Sequence, residues 1–289
     1  MIISFIRYLL FIPLYLSNKL LLIYSKIICL FDPGGFECKL EELYQKQINL
    51  KMSQKRNYNN LNYKPKLYSK KKEIIFNTPT KISNFRANTL YSKEKDTINW
   101  IDKFGGKNVV FFDIGANIGV YSLYCSMLYK NKVFAFEPQY NNIVLLEKNI
   151  QINKLEKFIT IIPNPIYNKN KLDFLLSDKN NLPGSASSTF IKKENIKSYE
   201  YKKRLTLSFA IDFLVEKLII PKPNMIKIDV DGNEIDVIKG AIKTINSINC
   251  KTILIESHNP KTDNYVKSFF RKNFYLYNNS GINKIYVKK

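Results

Sequence analysis

Acidic side chains and glycines gather at four places in this chain where a strand ought to end. Asp113, Gly115, Asn117 and Gly119 are spaced two apart in VVFFDIGANIGVYSL, and Glu137 follows in FEP. Asp229, Asp231 and Glu234 lie in IKIDVDGNE, and Glu256 and His258 close ILIESH. Carboxylates so placed can accept hydrogen bonds from ligand hydroxyls or take a proton from a reacting group. Open α/β sheets bind ligands at the carboxyl ends of their strands, so the four groups read as parts of one site.

Gly115 and Gly119 are expected to let a ligand approach the backbone, while the following helix presents free amide donors. Glu137 comes near the distance along the chain at which an acidic side chain meets ribose hydroxyls. Together Asp113, Gly115, Asn117, Gly119 and Glu137 suit the carboxylate and adenosyl portions of S-adenosylmethionine. A dinucleotide fits less well, because Asn117 stands where the second glycine of G-x-G-x-x-G belongs and leaves less room for a pyrophosphate.

Asp229 is the first candidate to orient or deprotonate an acceptor hydroxyl. Lys227 projects from the same side of the strand and is expected to neutralise an anionic substrate or fix the aspartate. His258, the only histidine, is the second candidate base. Asp231 and Glu234 are expected to assist or to contact substrate; the alternative is a D-x-x-E capping box. Their spacing is too generic to assign a metal. Ser185 belongs to a Gly184–Ser188 loop that is a candidate to close over substrate.

The elements that must position these groups follow from the pattern of short apolar runs alternating with helix-length segments. Strands are expected at Val109–Asp113, Val133–Glu137, Phe158–Ile162, Met225–Asp229 and Thr252–Glu256, with a further strand at Leu172–Leu176 and another at Leu205–Ala210. Helices are expected at Asn117–Tyr129, Tyr140–Asn153, near Phe213, Asn233–Asn246 and Lys261–Lys272. Phe274–Tyr277 and Ile282–Val287 form a closing hairpin around Asn278-Asn279-Ser280-Gly281.

On DIGANIG, FEP, the Gly184-Ser185-Ala186-Ser187 loop, IKIDVDGNE, Gly240-Ala241 and ILIE, residues 107 to 286 resemble the FkbM family of methyltransferases. The resemblance departs at IIPNPIYN, where Pro163 and Pro165 replace small residues. It implies a Rossmann-like class I methyltransferase fold, with a mostly parallel seven-stranded sheet and a C-terminal antiparallel hairpin. It also implies S-adenosylmethionine as cofactor and methyl transfer to a hydroxyl of a sugar, glycan or glycolipid.

Around the catalytic domain, set at 101–289, lie two further regions: a hydrophobic segment over 1–31 and a basic polar linker over 32–100. The first is interrupted by Arg7, Lys19 and Lys26 and kinked at Pro13, which favours lying in a membrane interface over crossing it. Membrane association, with the catalytic domain on the cytoplasmic side, is therefore expected. Forty-six basic against 24 acidic residues give a net charge of +22, which favours an anionic partner. Nucleic acid is a weaker choice, since the charge is dispersed and no N-P-P-Y-type motif follows Asp229. Two competing readings remain: a nucleic-acid methyltransferase and a non-catalytic membrane-associated binding module. The four cysteines lie far apart and indicate neither a zinc site nor a disulfide framework.

Overall fold

The computed structural model describes residues 62–63, 66–67, 72–186, 188–190, 201–217 and 220–289. The expected membrane segment, residues 1–31, lies outside them. Among the described residues no helix is long and apolar enough to cross a membrane.

The domain is built on seven strands: β1 (Val110–Ile114), β2 (Lys132–Phe136), β3 (Ile159–Ile162), β7 (Met225–Ile228), β8 (Thr252–Glu256), β9 (Phe274–Ser280) and β10 (Asn283–Lys288). Their order across the sheet is β9-β10-β8-β7-β1-β2-β3. The strands from β3 to β8 run parallel, and β10 pairs antiparallel with both β8 and β9. The order reverses between β1 and β7, the switch point at which such sheets open a crevice. A second, antiparallel sheet has the order β6-β4-β5, from β4 (Lys171–Asp178), β5 (Ser188–Phe190) and β6 (Tyr201–Ser208).

Near-continuous apolar runs make β1, β7 and β8 central strands covered on both faces. Phe111, Met225 and Leu254 pack into one core layer with Trp100, Leu123 and Leu146; Phe112, Ile226 and Ile253 pack into the other with Val237, Val266 and Phe270. Full burial of each large apolar side chain stabilises the fold by about 1.5–3 kcal/mol.

Helices α1 (Lys81–Asn88) and α2 (Lys95–Phe104) were not expected, because residues 32–100 read as linker. From Ile74 onward that stretch belongs to the domain. Ile74, Phe76, Leu90, Ile98, Trp100 and Ile101 are buried in the core. Trp100 Nε1 donates to Thr252 Oγ1 at 2.8 Å, and the main chain at Ile75 and Asn77 is held by the side chains of Asn153 and Asn149. Lysines and asparagines dilute the apolar residues here, which is why the composition reads as polar.

Helix α3 (Val120–Tyr129) starts three residues later than expected, since Asn117 and Gly119 take left-handed conformations (φ 51° and 86°) that extend the turn. Helix α4 (Tyr140–Ile152) falls where its pattern places it. Helix α5 spans Ile211–Lys217 and α8 Pro260–Phe270. The helix expected over Asn233–Asn246 is two, α6 (Glu234–Lys239) and α7 (Ile242–Asn246). Gly240 lies against the main chain of Tyr167, where a Cβ would come within 2.1 Å of its carbonyl oxygen. The closing hairpin turns at Gly281-Ile282, later than expected, and a register shift between Leu276 and Asn278 absorbs the difference.

Candidate active site

A cleft of about 270 Å³ opens at the carboxyl ends of β1, β2, β7 and β8. Gly115, Asn117, Glu137, Ser185, Asp229, Asp231, Glu256 and His258 line it. Asp113, Gly119, Lys227 and Glu234 do not line it. Their positions are explained by what stands behind its walls.

Glu137 is held at the end of β2 by two main-chain donors: Asn117 N–H on Oε2 and Gln139 N–H on Oε1, each at 2.8 Å. Burial raises its pKa to about 7 despite these bonds. The Asn142 side chain also bonds to it, which leaves the carboxylate one lone-pair position for a ligand hydroxyl. Asn117 Nδ2 and Asn142 Nδ2 both donate to the Ser185 carbonyl, and Gly184 N–H donates to Asn142 Oδ1. Arg86 Nε donates to the Gly184 carbonyl and Thr80 Oγ1 to that of Pro183. The loop expected to close over substrate is thus tied to α1 and α4. Its Ser185 Oγ is buried at the cleft wall without a hydrogen-bond partner among the described residues.

The glycines were expected to make room for a ligand; Gly115 lines the cleft, and both glycines also meet a packing constraint. A Cβ on Gly115 would lie 1.8 Å from the Asp229 carbonyl oxygen, and one on Gly119 would strike Leu146 and Leu123. Both also have φ of +86°. They let β1 and its turn close against β7 and α4, which shapes the cleft indirectly. Gly115→Ala is expected to destabilise the domain by about 2–4 kcal/mol, from strained backbone and forced separation of the two strand ends. Chemical denaturation checks this, and a loss under about 0.5 kcal/mol, the range of an ordinary surface substitution, would contradict the contact.

Asp113 was expected to touch the cofactor; it is fully buried beneath the cleft instead. Adjacent parallel register places it beside Lys227. Ser122 Oγ donates to its Oδ2 at 2.6 Å, and Lys227 Nζ stands 3.9 Å from its Oδ1. Burial raises the Asp113 pKa, opposed by Lys227. Lys227 in turn reaches Asp229 Oδ2 at 2.7 Å. Lys227 is itself sealed from solvent and fixes the aspartate, and it borders a smaller cavity of about 40 Å³ with Val120 and Tyr121.

Asp229 projects into the cleft beside Glu256, one residue past the pairing of Ile228 with Ile255 at the ends of β7 and β8. Burial alone would raise the pKa of Asp229, but Lys227 holds it below the usual carboxylate range. Glu256 is pushed above that range, by burial first and then by the charge of Asp229. The bond between the two carboxyls favours the proton on Glu256, with Asp229 accepting it. His258 Nε2 lies 3.3 Å from Glu256 Oε1, half-exposed at the rim.

Asp231 stands at the mouth, its pKa raised to about 6 by desolvation and by Asp229. Glu234, expected to assist, is buried and turns back to accept the Gly232 N–H at 2.9 Å. The capping box is also absent as drawn, since Asn233 is the N-cap and makes no side-chain cap bond. Among the described residues no three His, Cys, Asp or Glu side chains converge to hold a metal.

Arg86 and Glu94 line the cleft from the segment read as linker, and no motif marks them. Arg86 acts electrostatically on Glu137, Asp229 and Asp231 together. Pro165, one of the unusual prolines, lines the apolar wall with Phe136, Ile166, Leu175 and Phe190.

The strand order and directions, with this cleft at the switch point, define a Rossmann-like class I methyltransferase fold. Residues 113–277 match the Methyltransferase FkbM domain, and the chain belongs to that family. A relative, hexuronic acid methyltransferase AglP of Haloferax volcanii, is 29% identical over 165 residues. That match covers 57% of this chain and 62% of the relative. Among solved structures, methyltransferase FkbM from Methylobacillus flagellatus KT is similar at 19% identity and a TM-score of 0.43, over 62% of this chain and 43% of that one. Precorrin-6y C5,15-methyltransferase from Geobacter metallireducens GS-15 is similar at 15% identity and a TM-score of 0.42, over 70% and 93%.

Proposed function

We propose that the chain is an S-adenosylmethionine-dependent methyltransferase acting on a hydroxyl of a sugar, glycan or glycolipid. The observation that carries this reading is that Glu137 and Asp229 face one cleft from opposite sides of the switch point. One is placed to hold a nucleoside, and the other to receive a hydroxyl proton. The cleft suits the cofactor: Glu137 keeps a lone-pair position for a ribose hydroxyl, Ser185 Oγ has no partner among the described residues, and Phe136, Ile166 and Leu175 offer an apolar wall to a flat base.

Bound there, the cofactor supplies a methyl group activated on a sulfonium sulfur. What remains for the protein is alignment and proton removal. Asp229, fixed by Lys227, accepts the hydrogen bond of the acceptor hydroxyl and orients its lone pair. While the Asp229–Glu256 pair holds a proton, Asp229 is a weak base. Once Glu256 has ionised, the pair takes the acceptor proton readily. Turnover is therefore expected to rise with pH as Glu256 loses its proton, and Glu256→Gln to flatten that rise. A pH–rate profile measured at saturating cofactor checks this; an unaltered profile in the variant removes Glu256 from the pair.

Cofactor affinity is expected to fall as pH drops below about 7, because protonation removes the negative acceptor that Glu137 offers. Calorimetric titration from about pH 8 to about pH 6, on the scale of the ordinary carboxyl and imidazole values, reads it directly. Flat affinity across that range would contradict ribose binding by Glu137.

The name of the Haloferax volcanii relative supports a sugar acid as acceptor. Residues 1–31 are proposed to hold the enzyme at a membrane, with the catalytic domain on the cytoplasmic side. Incubation with labelled cofactor and fractionated cell extract tests the acceptor class, and label recovered in RNA would overturn the carbohydrate reading. Absence of saturable S-adenosylmethionine binding would leave the non-catalytic binding module.

A further inference from the structure

The sheet formed by β4, β5 and β6 has an outer face that is buried at Leu176 but that no described residue covers at its Leu172–Phe174 end. Leu205 pairs with Phe174 and Leu207 with Leu172, so these four side chains stand together on one face. Their exposures are 64% for Leu172, 47% for Phe174, 54% for Leu205 and 40% for Leu207. Single exposed apolar residues are ordinary, but a cross-strand quartet is a patch with a use. By strand alternation Leu175 points the other way, and it lines the cleft. The same strands therefore wall the site on one side and carry the patch on the other.

The charges around the patch decide what fits it. Lys203 lies on the same face, next to Leu205, and the exposed Lys169 lies just before β4; Lys202 and Arg204 alternate to the other face, as do Lys171 and Asp173, which pair with each other at 2.6 Å. A second copy of this chain docked face to face would bring like cations together. An anionic bilayer complements both features, taking the leucines and phenylalanine into its interface and the lysines against its headgroups.

We propose that the outer face of β4 and β6 is a docking surface for an anionic phospholipid bilayer, distinct from residues 1–31 and independent of the catalytic reading. The test uses the full chain carrying Phe174→Trp, in which Trp100, buried in the core, is a constant background. With vesicles of phosphatidylcholine and phosphatidylglycerol, the new tryptophan should shift to the blue and be quenched by brominated acyl chains. Pure phosphatidylcholine should give much less of both. Adding Leu205→Asp and Leu207→Asp should weaken vesicle partitioning by at least about tenfold, because two apolar anchors leave the interface. Circular dichroism and the urea midpoint serve as the folding control, since these side chains are already exposed. Cosedimentation with vesicles while the introduced tryptophan stays unquenched would assign membrane binding to another part of the chain and overturn the proposal. So would a lipid-free dimer that the two aspartates dissociate.

Discussion

Exchanging Asp229 for asparagine is expected to lower turnover about 100- to 10,000-fold, the range over which a positioned base contributes. S-adenosylmethionine affinity should change little. The two side chains have nearly the same shape, and the amide retains an oxygen to accept the 2.7 Å bond from Lys227 Nζ. What disappears is the charge and the capacity to take a proton. The neighbour responds in a defined direction: with Asp229 neutral, Glu256 loses the repulsion that helped raise its pKa and ionises at lower pH. Residual activity in the variant should then reach its plateau at a less alkaline pH than in the parent. Steady-state kinetics with calorimetric cofactor binding separate these effects. Unchanged turnover would remove Asp229 from the reaction.

The second large effect is on stability. Lys227→Met removes a sealed cation that stands between Asp113 and Asp229, at 3.9 Å and 2.7 Å. Methionine fills most of the volume, so the loss is electrostatic. Breaking a buried ion pair from one side costs about 3–5 kcal/mol, because the partner charge is left uncompensated. Asp113 suffers most, since among the described residues its only other side-chain support is Ser122. The sign with pH follows. Without the lysine both carboxyls have folded-state pKa values above their unfolded ones, so the penalty is present while they are ionised. It shrinks as pH falls toward about 4, where the unfolded carboxyls also take up protons. Urea denaturation of both proteins at about pH 7.5 and about pH 4.5, near those limits, would show the gap narrowing. An equal gap at both values would mean that the cost is one of packing.

The central strands were legible because burial on both faces leaves uninterrupted Val, Ile and Phe runs, and Glu137 was legible because a carboxylate ending such a strand is hard to explain by packing. Asp113 has the same sequence signature as Glu137, yet it faces down into the structure. A one-residue difference in where the strand ends reverses the side on which a residue points, and apolar runs blur that boundary. Gly115 and Gly119 were identified as special, but the neighbours that forbid a Cβ include β7 and α4, elements remote in sequence. Arg86 and Glu94 were invisible for a different reason. Arg86 sits on a helix with little amphipathic pattern, and the place of both residues beside the cleft is set by long-range contacts such as Trp100 with Thr252. The pairing of Asp229 with Glu256 was within reach, because both end parallel strands, though only the register makes them neighbours.

Trp100 and its surroundings also bear on how this protein should be cut. A recombinant piece trimmed to the family match, 113–277, would discard Ile74, Phe76, Trp100 and Ile101 on one side and the whole of β10, with Ile285 and Tyr286, on the other. All of these buried side chains would lose their place, and Arg86, which anchors the Gly184 loop, would go with them. The stretch that reveals kinship is shorter than the stretch able to stand by itself, so a soluble, ligand-competent fragment has to begin upstream of Ile74 and run to the last strand.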